Sequence, residues 1–237
     1  MYKYDKNSNV SYALGSTLTI ELLKTNPKSV RKIYFSTDID KNTGFQMISE
    51  LCNENKIETI ISTKIFKNLK TKDNCFVIGE FTKYQSEINN DNHIVLVNPE
   101  NDGNLGAIMR SALGFGFNNI IIIKPAIDYF DPKVIRSSMG AIFKLNISYF
   151  ESFEDYKKIY SKHNYYPFML NGKSKVSDTK LLSPYSLIFG PESSGLEQEY
   201  LNLGNSIVIP HSNNIDSLNL PIAVSIALYE ATRLEFK

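Results

Sequence analysis

Residues 94–123 read IVLVNPENDGNLGAIMRSALGFGFNNIIII. Two uninterrupted apolar runs, 94–97 and 120–123, bracket a turn and an amphipathic stretch. A run of four apolar residues without alternation fits a strand buried on both faces, the condition inside a parallel sheet. Between the runs, Pro99 and Gly103 mark a turn and Asn104 is placed to cap a helix over 104–114. Leu105, Ile108, Met109 and Ala112 share one face of that helix, with Arg110 almost opposite and beside Gly106. Further apolar runs at 187–189 (LIF) and 207–209 (IVI) continue the pattern, with helical segments near 131–140, 152–162, 196–202 and 217–235. Strand–helix alternation of this kind indicates an α/β fold with a mostly parallel sheet. Ligands of such sheets sit beyond the carboxyl ends of the strands, so the loops after these runs are where a site is expected.

Upstream, the pattern predicts helices at 16–24, 44–55 and 63–70 and strands at 30–35, 57–61 and 75–81. This is a small α/β unit of about 80 residues, near the lower limit for an independent core. The polar stretch YQSEINNDNH (84–93) separates it from the C-terminal part of the chain, and domains are expected over 1–85 and 92–237.

The 237 residues are 42% hydrophobic and 22% charged, an ordinary globular balance that excludes a disordered or fibrous chain. The net charge of +1 excludes a polycation, although residues 1–90 carry +3 and residues 91–237 carry −2. With few phosphate contacts to make, affinity for a nucleic acid should fall only moderately with salt. Basic residues are 22 lysines and only four arginines, Arg31, Arg110, Arg136 and Arg233. In such a chain each arginine raises a question about its fork geometry. Two cysteines without a CxxC spacing and three histidines leave little material for a metal site, and no metal is expected. The cysteines are read as buried thiols in a reducing compartment. No apolar run approaches the roughly 20 residues that span a bilayer, so a cytoplasmic protein with no membrane partner is expected.

Three loops carry the chemistry. The first, 98–116, presents Arg110, either a solvated side chain or a guanidinium suited to phosphate and ribose oxygens. The second, LIFGPESSGL (187–196), is either a cofactor loop or a tight turn with Glu192 as a first-turn acid. Gly190 and Gly195 permit close backbone approach there. The third, IVIPHSNNIDSLNLP (207–221), has Ser217 as an N-cap, which leaves Asn219 unexplained. His211 is a general-base candidate or a surface loop residue. GxGxxG, P-loop and GxSxG patterns are all absent, which weighs against dinucleotide oxidoreductases, NTPases and α/β-hydrolases. Loops rich in Gly and Asn with few titratable groups favour positioning over nucleophilic catalysis.

At these residues the chain resembles the SpoU/TrmH family of S-adenosylmethionine-dependent RNA 2′-O-ribose methyltransferases, a branch of the SPOUT superfamily. The resemblance lies in NLGAIMRSA (104–112), FGPESSGL (189–196) and IPHSNNIDSLNLPIA (209–223), present in the family's order. ALGSTLTIELLK (13–24) resembles the start of a small L30e-like α/β domain that binds RNA substrate. The resemblance implies a C-terminal trefoil-knotted, mostly parallel sheet and a homodimer with its active site near the subunit interface. It implies S-adenosyl-L-methionine as methyl donor. Asn104, Arg110, Glu192, Ser217 and Asn219 match the family's active-site positions, and Gly190, Ile209 and Leu218 match those whose backbone contacts the cofactor. A proposal for the family makes Arg110 the base, but a guanidinium resists deprotonation, and the alternative expected here is that Arg110 holds an RNA phosphate or polarises the 2′-hydroxyl while Ser217 and Asn219 orient it. The implied partner is structured RNA, 23S ribosomal RNA ahead of transfer RNA. A catalytically silent RNA-binding factor with the same fold is the reading from another class, and the presence of all five active-site residues argues against it. Pro221 and His211 depart from the small and apolar residues common at those positions.

Overall fold

The structure is a computed structural model that describes residues 3–69 and 74–235. It divides into two compact units, Met1–Tyr84 with Asp128–Lys144 and Gln85–Ile127 with Leu145–Lys237. In the first unit β1 (Val10–Leu14), α1 (Ser16–Thr25), β2 (Val30–Phe35) and α2 (Thr43–Glu54) are followed by β3 (Glu58–Ile61), α3 (Lys64–Asn68) and β4 (Val77–Thr82). The strands lie in the order β1-β4-β2-β3, with β4 antiparallel to both neighbours and β3 parallel to β2. β2 shows how the sequence covers both faces. Ile33 and Phe35 pack with Leu23, Ile48, Cys52 and Val77, whereas Tyr34 between them joins Tyr12, Ile65, Phe66 and Ile78 on the other side. All the helices and strands expected here are present, and the end of the helix expected at 63–70 reaches Lys70, outside the described residues. β1 is an addition to the expected set. Cys52 is buried, but Cys75 is only half-buried, against the expectation for it.

In the second unit β5 (His93–Val97), α4 (Asp102–Gly114) and β6 (Asn119–Ile123) form the expected strand–helix–strand. The cap differs: Asn101 is the N-cap of α4, its Oδ1 accepting from the Asn104 amide at 3.0 Å. Two asparagines three residues apart offer the same chemistry, and the one with extended backbone takes the role. From Asp128 the chain runs through the first unit. There α5 (Pro132–Ser137) packs beside β1, Lys83 pairs with Asp128 at 2.6 Å, and Phe130 and Phe143 set their rings edge-on to Phe81. This segment belongs by packing to the N-terminal unit although it comes after residue 92 in sequence.

The second unit continues with β7 (Asn146–Phe150), α6 (Phe153–Ile159), β8 (Asn164–Pro167), β9 (Ser174–Lys175), β10 (Tyr185–Phe189), β11 (Ile207–Val208) and α7 (Leu220–Thr232). Five strands make one wholly parallel sheet in the order β7-β6-β5-β10-β8. Every residue of β6 and β10 is buried, as continuous apolar runs require. The run at 207–209 does not join that sheet; β11 pairs in parallel with β9 as a separate two-stranded ribbon. Residues 198–202 form a 3-10 turn rather than the expected helix. α7 starts at Leu220 with Asn219 as its N-cap and Pro221 in its first turn, so Ser217 lies before the helix and does not cap it. Among the described residues no helix is long and apolar enough to cross a membrane, and no group of three or more His, Cys, Asp or Glu is placed to hold a metal.

Candidate functional site

From β5 the chain builds the sheet outward on one side through β6 and β7, while β10 and β8 lie on the other. The direction reverses between β5 and β10, which opens a crevice at their carboxyl ends. The loops after these two strands meet across it. Glu192 Oε1 accepts from Asn104 Nδ2 at 2.9 Å, and Oε2 accepts from the Glu100 backbone N–H at 3.3 Å. Two donors on one carboxylate fix both its position and its rotamer, and a charged acceptor makes each bond stronger than a neutral one.

Beside this pair lies a cavity of about 560 Å³, within the range of small-molecule sites. Asn104, Gly190, Glu192, Ile209, Ser217, Leu218 and Asn219 all line it. Arg110 does not: it is exposed on α4 and outside the lining. Gly106, one turn before it, is buried. α4 turns its apolar face to the core, as expected, and also meets α7, where the Ser111 and Ser225 hydroxyls lie 2.8 Å apart.

The loop after β10 closes tightly. Gly195 N–H donates to the Pro191 carbonyl at 2.9 Å, and Gly195 has φ of +69°. A Cβ on Gly190 would stand 2.3 Å from the Gly195 carbonyl carbon, so this position admits no side chain. Phe189 stacks on Phe168 with ring centroids 4.6 Å apart and planes 17° from parallel, and both rings line the cavity. Phe168 and Met169 come directly after β8, and only recognition of that strand brings them forward from the sequence. Asp216, which no sequence pattern marks, also lines the cavity, while His211 lines it with Nδ1 3.0 Å from the Ile209 carbonyl oxygen. The lining combines the stacked aromatic rings with carboxylate, amide and hydroxyl groups. Among the described residues the lining holds no cysteine or lysine.

Removing the Asn104 amide tests how the crevice is fixed. Asn104→Ala is expected to lower unfolding free energy by about 1 kcal/mol, because a half-buried carboxylate loses a donor. Chemical denaturation reads this directly, and an unchanged midpoint would mean that Glu192 is held by other contacts.

A sequence model of the SpoU rRNA Methylase family matches residues 91–229. The chain belongs to that family. A 23S rRNA (uridine(2479)-2′-O)-methyltransferase of Streptomyces viridochromogenes is 32% identical over 143 residues, covering 57% of this SpoU-family chain and 50% of that protein. The chain spans about half the length of the first curated relatives it matches. The fold is shared with an AdoMet-bound rRNA methyltransferase from Sinorhizobium meliloti, at TM-score 0.83 and 23% identity over 97% of this chain and 89% of that one. A structure described as giving insights into 2-OH methylation of C/U34 on tRNA matches at TM-score 0.56 and 29% identity, over 60% of this chain and 93% of that one.

Proposed function

We propose that the protein transfers a methyl group from S-adenosylmethionine to a ribose 2′-hydroxyl of structured RNA, with 23S ribosomal RNA as the substrate. The observation that carries this is the Asn104–Glu192 hydrogen bond across the β5/β10 crevice, beside a cavity that Gly190, Ile209 and Leu218 line. These residues fit the cofactor: the Gly190 loop is closed too tightly for a side chain, and the stacked Phe168 and Phe189 rings give an apolar wall. Backbone groups of Gly190, Ile209 and Leu218 would hold it. When bound, it supplies an electrophilic methyl on sulfur, so the protein's own work is alignment. Asn104 and Glu192 form the catalytic cleft, and Ser217 and Asn219 orient the ribose. Arg110, exposed on α4, holds an RNA phosphate.

Several further features belong to the same reading. Residues 1–85 serve as an L30e-like substrate-binding domain and 92–237 as the methyltransferase domain. Net charge of +3 over residues 1–90 supports RNA docking there. The fold likeness to an rRNA methyltransferase over 97% of the chain, against 60% for the tRNA-related structure, supports ribosomal RNA. A trefoil knot in the C-terminal part of the chain belongs to the same reading. Ile222 and Tyr229 remain 52% and 54% exposed on α7, which supports a homodimer through that helix. Ala227 on the same helix is buried within its own chain. The site of action is the cytoplasm.

The test is to delete the gene and map ribose methylation across ribosomal and transfer RNA, with calorimetry of S-adenosylmethionine on the purified protein. One lost 23S position and measurable binding are expected. A lost tRNA position would redirect the substrate, and no lost position with no binding would leave an RNA-binding factor.

A further inference from the structure

Moving a methyl group onto a neutral hydroxyl releases a proton, and the site must receive it. Of the described residues lining the cavity, Glu192, His211 and Asp216 carry side chains with a carboxylate or imidazole group to receive it. Both Glu192 oxygens already accept N–H groups, one from Asn104 and one from Glu100. Asp216 is exposed in the loop before α7. Arg110 keeps its proton in proteins and lies outside the lining.

His211 is different in kind. It is half-buried and lines both the main cavity and an adjoining one of about 360 Å³ bounded by Leu170, Ile209 and Ile215. Its Nδ1 lies 3.0 Å from the Ile209 carbonyl oxygen. A carbonyl can only accept, so Nδ1 carries the proton and the neutral ring keeps its lone pair on Nε2. The hydrogen bond thus does for this ring what an orienting partner does for a general base: it sets the tautomer and limits rotation. The tether ends on Ile209, a residue proposed to hold the cofactor, so base and methyl donor are referenced to one strand end.

We propose that His211 Nε2 is the proton acceptor in the methyl transfer, an assignment that rests on the methyltransferase reading. The ribose 2′-oxygen bonds to the methyl carbon as the sulfur–methyl bond breaks with its electron pair left on sulfur, giving a neutral thioether. The hydroxyl proton passes to Nε2, and the imidazolium then loses it to solvent.

Two measurements test this. The chain has three histidines, so nitrogen-15 NMR of the protein without cofactor resolves each ring. At neutral pH His211 is expected as the Nδ1–H tautomer; an Nε2–H tautomer would overturn the assignment. His211→Asn retains an amide donor near the Nδ1 position and removes the base. It is expected to bind S-adenosylmethionine within about twofold of wild type while turnover falls by about 100-fold or more on the RNA transcript that wild type methylates. Normal turnover by His211→Asn, or a comparable collapse in Asp216→Asn alone, would overturn the role of His211. Lost cofactor affinity in His211→Asn would also overturn it, by making the ring a tether only. A wild-type protein that neither binds the cofactor nor methylates RNA would instead overturn the methyltransferase reading beneath it.

Discussion

Gly190→Ala is expected to abolish S-adenosylmethionine binding and to destabilise the protein by about 1–3 kcal/mol. The added Cβ would lie 2.3 Å from the Gly195 carbonyl carbon, 2.4 Å from Leu196 N and 2.7 Å from Gly195 O. All three are backbone atoms, so no rotamer change relieves the overlap. The turn from Gly190 to Leu196 must open, and the Gly195-to-Pro191 hydrogen bond that closes it is put at risk. Opening also carries Glu192 away from Asn104, so the clash disturbs the loop proposed to hold the cofactor and the crevice together. Gly114→Ala is the control. A Cβ there meets nothing within 4 Å and sits at the end of α4, where alanine favours the helix by up to about 1 kcal/mol. Calorimetry and denaturant midpoints on both variants separate the two cases. Wild-type affinity in Gly190→Ala would mean that the loop is looser than its geometry implies.

The parts of this fold legible in the sequence are those where burial is complete. β5, β6 and β10 lie in the middle of the parallel sheet, so their apolar runs need no alternation and stand out. β7 and β8 are its edges. Only Ile147 of NISYF is buried in β7, and β8 mixes Asn164 and Pro167 with two tyrosines, so neither carries a periodic signal. Without them the strand order cannot be written, and with it goes the crevice that makes Asn104 and Glu192 neighbours. The run at 207–209 misleads for a related reason. Ile207 is buried under the cavity and against Gly172, not in a central strand, and an apolar triplet reads the same in both places.

Seven of the eight candidate site residues reach one cavity: six lie on the loops that follow β10 and β11, and Asn104 lies in the first turn of α4, just after β5. Arg110 lies in mid-helix, and its direction depends on what α4 packs against. Helical phase places it opposite the core face, and α7 occupies another part of the surface. Phe168 and His211 show the converse. The first needs β8 to be seen; the second is a general-base candidate from its loop, but the hydrogen bond to Ile209 that separates this from a surface residue is supplied by no spacing rule.

Acid is expected to destabilise the protein by about 2 kcal/mol between pH 7.5 and 5, through His93. This first residue of β5 is fully buried. Its Nε2–H donates to the Asn89 carbonyl at 2.8 Å, and its Nδ1 accepts from the Tyr156 hydroxyl at 2.8 Å. Tyr156 continues to Ser186, and Ser186 to His163, whose ring centroid stands 4.4 Å from that of His93. Burial drives the His93 pKa down to about 4, and it lowers that of His163 as well. The folded state therefore favours neutral rings, while the unfolded chain takes up protons near the ordinary value of about 6.5. Stability from His93 is complete above that value and drains away as pH falls towards 4. Asp91 pulls the other way, as does the Asn89 carbonyl, but burial outweighs both. The chain joins the polar stretch 84–93 to the sheet, so acid loosens the start of β5 and not the crevice at its far end. Denaturant titrations at the two pH values measure the loss. His93→Gln, which removes the titrating ring, should be less stable at pH 7.5 yet lose much less on acidification. A wild-type midpoint that is the same at both pH values would show that the buried network takes up its proton without cost.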